Sequence, residues 1–114
     1  VTNHPRLQVR FYKTGTGNEP VREWLLSLSD DEKKTIGEDI KTVQFGWPIG
    51  MPVCRKVDKD LWEVRSSLQK KIARVIFTVE ESTIVLLHDL IKKTQKLPQS
   101  DLDLAKRRLA DLRG

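Results

Sequence analysis

Two stretches of this chain alternate apolar and polar residues with the period of a half-buried β-strand, and only a few residues separate them. Leu61-Trp62-Glu63-Val64-Arg65-Ser66-Ser67-Leu68 carries Trp62, Val64 and Leu68 on one face and Glu63, Arg65 and Ser67 on the other. Ile72 to Glu80 carries Ala73, Val75, Phe77 and Val79 on one face, with Arg74, Thr78 and Glu80 opposite. Pairing the two as a hairpin with their apolar faces together requires an even number of loop residues, because side chains alternate strictly. A two-residue turn at Gln69-Lys70 sets Arg65 directly across from Arg74; a three-residue loop would put them on opposite faces. Like charges on neighbouring strands are mildly destabilising. Folding does not ask for that pairing, whereas an anionic ligand would.

The 114 residues suffice for a single domain, spanning 1–114, with a real core. No apolar run approaches the roughly 20 residues of a membrane span, and the polar N-terminus is not a signal peptide. The one cysteine, Cys54, excludes an internal disulfide and fits a reducing compartment. With no histidine nearby to activate it, Cys54 reads as a small strand hydrophobe rather than a nucleophile. A cytoplasmic location is expected. The formal charge is +5, unevenly spread. Residues 19–45 hold seven acidic against four basic side chains, whereas residues 46–96 hold ten basic against six acidic. The acidic excess falls in a helical segment and the basic excess in the sheet and its loops. That segregation suggests a side facing a polyanion, with ordinary solubilising lysine as the bland alternative.

Along the chain, Arg6 to Lys13 alternates as a first strand, and Thr14 to Asn18 is a turn cluster. A helix follows, with Pro20 in its first turn and Val21, Trp24, Leu25 and Leu28 as its stripe. Ser29 with Glu32 reads as a capping box opening a second helix that buries Ile36, Ile40, Val43 and Phe45. Gly46 and Pro48 stop it. Strand two covers Val53 to Val57, with a turn at Asp58-Lys59-Asp60, and a fifth strand covers Thr83 to Ile91. The unbroken apolar run Ile84 to Leu87 suits a central strand covered on both faces. Ser100 with Asp103 caps a last helix striped by Leu102, Ala105, Leu109 and Leu112. The order β-α-α-β-β-β-β-α predicts an α+β domain: one curved, mostly antiparallel sheet with helices mainly on one face.

These segments resemble the RelE-type toxins of bacterial toxin–antitoxin systems, specifically their HigB-like, phage-derived branch. The resemblance is carried by Pro20 to Leu25 (PVREWL), Gly37 to Pro48 (GEDIKTVQFGWP), Leu61 to Arg65 (LWEVR), Ala73-Arg74-Val75, and Leu86-Leu87-His88 followed by Lys92 to Lys96 (KKTQK). It implies a compact microbial-ribonuclease-like fold and a metal-independent endoribonuclease, or mRNA interferase, that cuts mRNA in the ribosomal A site. It further implies inhibition by a cognate helix-turn-helix (HigA-like) antitoxin, with operator DNA contacted only through that antitoxin. Neither a cofactor nor a membrane partner is implied.

Cleavage of RNA by the adjacent 2′-hydroxyl needs that oxygen aligned, charge on phosphorus neutralised and protons moved. Arg65 suits the phosphate, since a guanidinium bonds two oxygens at once, and it matches the family's strand arginine. Arg74 is either a second phosphate ligand or the partner of Glu63 or Glu80 in a structural ion pair. Glu63 is either the base or a salt-bridge residue. Lys92, Lys93 and Lys96 leave the last strand where the family carries basic residues at its cleft; Lys93 is the catalytic candidate, Lys92 and Lys96 RNA-binding ones. A solvated loop is their bland reading. Arg55 and Lys56 alternate, so at most one faces the cleft, and Lys56 is taken as RNA-binding. His88, inside an apolar strand, reads better as a hydrogen-bonded core histidine than as a base. Many relatives place a tyrosine or histidine near the end of the last strand or in the tail. This chain has neither after His88, and its only tyrosine, Tyr12, lies in the first strand. Two distant histidines and one cysteine lack metal-ligand spacing. The competing function is a non-catalytic RNA- or antitoxin-binding module, a decayed toxin.

Overall fold

In the computed structural model the described residues are 7–92 and 96–114, with Lys92 described by its backbone alone. The elements run β1 (Gln8–Phe11), α1 (Pro20–Leu26), α2 (Asp30–Gly46), β2 (Cys54–Asp58), β3 (Leu61–Leu68), β4 (Lys71–Glu80), β5 (Thr83–Lys92) and α3 (Gln99–Arg113). One open five-stranded sheet results, ordered β1-β5-β4-β3-β2. Its pairings are antiparallel except β1 with β5, which is parallel.

Short turns set the register. Leu68 pairs with Lys71, so Gln69 and Lys70 alone form the loop, and Lys70 takes a left-handed φ of 61°. Glu81 and Ser82 join β4 to β5 with φ of 47° and 66°, the positive-φ pair that suits the right-handed twist of a tight hairpin. Across the first hairpin Trp62 meets Phe77, Val64 meets Val75 and Arg65 meets Arg74. Side-chain alternation then divides the sheet into two faces. On one, Val64, Val75, Phe77, Ile84 and Leu86 pack with Val21 of α1 and Ile36, Ile40 and Val43 of α2. Trp47, just past α2, meets Trp62 and Phe77 edge-on, with ring centroids 5.1 and 5.7 Å away.

The opposite face carries a second core of Tyr12, Leu61, Ile76, Val85, Leu87 and Leu90, covered by Ala105 and Leu109 of α3. Helices therefore lie on both faces, correcting the expectation that they would sit mainly on one. The reason is in β5: Ile84 to Leu87 are all essentially buried, so both sides of that strand need an apolar cover. Two smaller expectations also change. Phe45 is exposed, its ring 5.9 Å from the Lys41 ammonium, because two residues past Val43 the helix has turned it some 200° away. The last helix starts at Gln99 with Pro98 as N-cap and no side-chain cap, which places Ser100 inside the first turn.

The capping box at the start of α2 is complete. Ser29 Oγ accepts from the Glu32 amide, and Glu32 Oε1 accepts from the Ser29 amide. Glu32 also binds Lys71 Nζ at 2.9 Å, which ties α2 to the start of β4; that ammonium, chiefly, holds the Glu32 carboxyl below the usual carboxylate range.

On β5, burial pushes the Asp89 carboxyl up to about 6, against the opposing charges of His88 and Arg108. An unfolded aspartate titrates near 4. Proton uptake therefore favours the folded state fully below about pH 4, and that contribution is lost as pH rises through 6. Relative to the parent protein, Asp89→Asn should gain stability at pH 8 and lose that advantage at pH 4, as read by urea unfolding midpoints at the two pH values.

Candidate functional site

Strand alternation gathers the charged residues onto the α3 side of the sheet. Arg55, Glu63, Ile76 and His88 form one cross-strand row, and Arg65, Arg74 and Leu90 form the next. At the centre is Glu63, whose side chain is completely buried. Its Oε1 lies 3.0 Å from Arg55 Nη2 and 3.7 Å from Arg65 Nε. Arg74 is equally buried. Burial pushes its guanidinium below the usual arginine value; the Glu63 carboxylate works against that shift, and the Arg65 and Arg55 charges add to it. A guanidinium stays protonated through such a shift at neutral pH. One carboxylate thus stands among three arginines, a local excess of two positive charges.

Exposure separates the roles. The Arg65 side chain is 13% exposed and that of Arg55 is 37%, so these two can meet a ligand. Just ahead of the start of β2, Arg65 opens into a shallow cleft of about 270 Å³ shared with Thr35, Asp39, Pro52, Val53 and Ser67. Its amide donates to Val53 O at 2.7 Å, and its Nη1 lies 4.0 Å from the sulfur of Met51. The backbone of the connector therefore holds the strand from which the guanidinium projects.

Several of the residues singled out from the sequence take different positions. Arg74 shares the face of Arg65 but lies wholly beneath the surface, so of the two only Arg65 is open to a ligand. Glu63 shares the face too, yet a fully covered, ion-paired carboxylate cannot reach a 2′-hydroxyl, and the salt-bridge alternative describes it. Lys56 points to the other face, its ammonium 5.7 Å from the Trp62 ring, because it alternates with Arg55 along β2. Arg55, not Lys56, is the β2 cation on the face of Arg65. Its signal was available in the sequence only if the β2–β3 register, Arg55 opposite Glu63, had been known. Lys92 ends β5 opposite Ile72, and its side chain lies outside the described residues, as does the whole of Lys93. Lys96 is exposed ahead of α3.

His88 is half-buried on the arginine face, with Nε2 held 2.7 Å from Asp101 Oδ1 in the first turn of α3. Tyr12 lies away from the arginine cluster. Its hydroxyl donates to Asp111 Oδ2 at 2.6 Å, on the β1 side of the sheet, and that hydrogen bond together with burial raises its pKa. Cys54 is buried, across from Val64 on the neighbouring strand, and desolvation pushes its thiol up to about 11, so it is inert as a nucleophile.

Removing the central carboxylate tests this arrangement. Glu63→Ala leaves Arg74 buried among like charges and should cost about 3–5 kcal/mol in chemical unfolding. Combining it with Arg74→Met should return at least about 1 kcal/mol of that loss, giving a non-additive double-mutant cycle.

No curated protein matches the chain. Residues 23–110, which include α2, all of the arginine cluster and most of α3, match the family described as phage derived protein Gp49-like (DUF891). That match covers most of the sequence: the chain belongs to the Gp49-like family of phage-derived proteins, a family associated with RelE-type toxins of toxin–antitoxin systems.

Proposed function

We propose that the protein is the toxin of a toxin–antitoxin pair, a HigB-like, ribosome-dependent endoribonuclease that stops translation by cutting mRNA. The observation that carries this reading is the partly exposed Arg65 set on a buried Glu63–Arg74 base with Arg55 beside it. In the reaction the ribose 2′-oxygen bonds to phosphorus while the 5′-oxygen leaves, and the extra charge accumulates on the non-bridging phosphate oxygens. Arg65 and Arg55 lie on one face, where their donors can converge on those oxygens. Their anchoring by Glu63 fixes the guanidinium positions before substrate arrives, so little reorganisation is needed as the charge develops.

The proton leaving the 2′-oxygen is not taken by Glu63. The His88–Asp101 pair stands on the same face, but the fully buried Ile76 separates it from the arginines, so the reading rests on charge neutralisation at phosphorus and on substrate alignment by the ribosome. This function places the protein in the cytoplasm with mRNA and the ribosome as partners, and a HigA-like antitoxin as its inhibitor and only bridge to operator DNA. Among the described residues no helix is long and apolar enough to cross a membrane.

A second reading, a non-catalytic module that binds RNA or its antitoxin, draws support from the burial of Glu63, which removes that carboxylate from reach of a ligand on the arginines. Induced expression separates the two. The parent protein should arrest growth and produce new mRNA ends on translating ribosomes, and Arg65→Ala should reduce cleavage by about a hundredfold or more. Absence of both arrest and new ends in the parent sinks the enzyme reading. Full toxicity of Arg65→Ala sinks the site.

A further inference from the structure

A groove of about 300 Å³ begins at the arginine cluster and runs between the edge strand β2 and the start of α3, lined by Arg55, Lys56, Val57, Leu97 and Leu102. Its walls are unlike the rest of the site. Val57, Leu97 and Leu102 are aliphatic side chains on the rim of the second core, each only partly buried. Among the described residues no carboxylate lines the groove. The next residue along β2, Asp58, is neutralised by Lys106 at 2.9 Å, a contact that lowers the Asp58 pKa and raises that of Lys106. Arg55 belongs to both places: its Nη2 holds Glu63, and its partly exposed side chain forms the mouth of the groove.

We infer that this groove is a nucleobase subsite, taking one base of a single-stranded RNA whose neighbouring phosphate rests on Arg55 and Arg65. The inference rests on the endoribonuclease reading and adds where the substrate's base goes. A groove that sets three aliphatic side chains beside a guanidinium suits an unstacked base, through its π-face on the aliphatic wall and its edge or phosphate on the arginine. The exposed aromatics that many RNA-binding sheets use for stacking are absent from this face among the described residues. Val57, Leu97 and Leu102 supply the apolar wall instead. These three residues, rather than the arginines, then govern which base is accepted. An acidic peptide would also satisfy Arg55 but would leave the aliphatic floor covered by nothing in particular, so the nucleotide is the better fit.

The test uses the intact protein with methyl-labelled valine and leucine. Titration with each of the four nucleoside 3′,5′-bisphosphates is compared with inorganic phosphate and with ribose 5-phosphate. At least one bisphosphate should shift the Val57, Leu97 and Leu102 methyl resonances, while phosphate and ribose 5-phosphate should leave them in place. Leu102→Ala should weaken that bisphosphate about tenfold without changing phosphate affinity. Silent methyls with all four bisphosphates overturn the subsite, as do methyls that move equally with phosphate alone or respond only to an acidic peptide. If Leu102→Ala fails to fold, the methyl shifts of the parent protein decide alone. None of these readouts requires cleavage, so a failed subsite is distinguishable from a failed nuclease, which the growth-arrest assay reports.

Discussion

The buried carboxylate of Glu63 is the point on which this site depends. Three guanidinium groups on adjacent strands would repel one another, and Arg74, wholly removed from solvent, would carry an uncompensated charge into a core whose other members are largely aliphatic. Glu63 relieves both problems. It attracts Arg55 and Arg65 at the surface and offsets the burial of Arg74 below. The residual excess of positive charge is then displayed by the two arginines that solvent can reach. Stability and the proposed anion recognition thus draw on one ion cluster, and loss of the carboxylate would disturb both.

That cluster exists because the turns are short. Two residues between β3 and β4 put Arg65 across from Arg74, and the register between β2 and β3 brings Arg55 to Glu63. A single-residue slip in either pairing would move a guanidinium to the α1–α2 face, among the Trp47, Trp62 and Phe77 rings. The helices enforce the choice. The α2 side accepts only the apolar face of the hairpin, and α3 covers the other face far enough along to bury Ile76 and Leu87 while leaving Arg55 and Arg65 at its margin.

How far the chain could be read in advance varies with the range of the interaction involved. Local signals were legible: the capping box at Ser29 and Glu32, the alternation of β3 and β4, and the even loop at Gln69-Lys70 all depend on residues a few positions apart. Helix ends were less so, as Pro98 and Phe45 illustrate. The site was half legible. Arg65 and Arg74 were visible as polar interruptions of strands, and parity placed them on one face. Their depth was not, because the same alternation describes an arginine in water and one sealed beneath its neighbours. Arg55 and Lys56 could not be told apart, since either register of an edge strand satisfies its own short pattern.

The sequence by itself determined the strand and helix order and the pairing of like charges on one hairpin, because periodicity and turn length are properties of contiguous residues. Its motifs likewise carry the family. The placement of α3 on the second face was decided only by tertiary structure, as were the ion pair between Arg55 and Glu63, the burial of Arg74 and the hold of Asp101 on His88. Each joins side chains from separate elements. Whether a charge is buried, paired or open to a ligand depends on which element arrives to cover it, and no local pattern records that arrival.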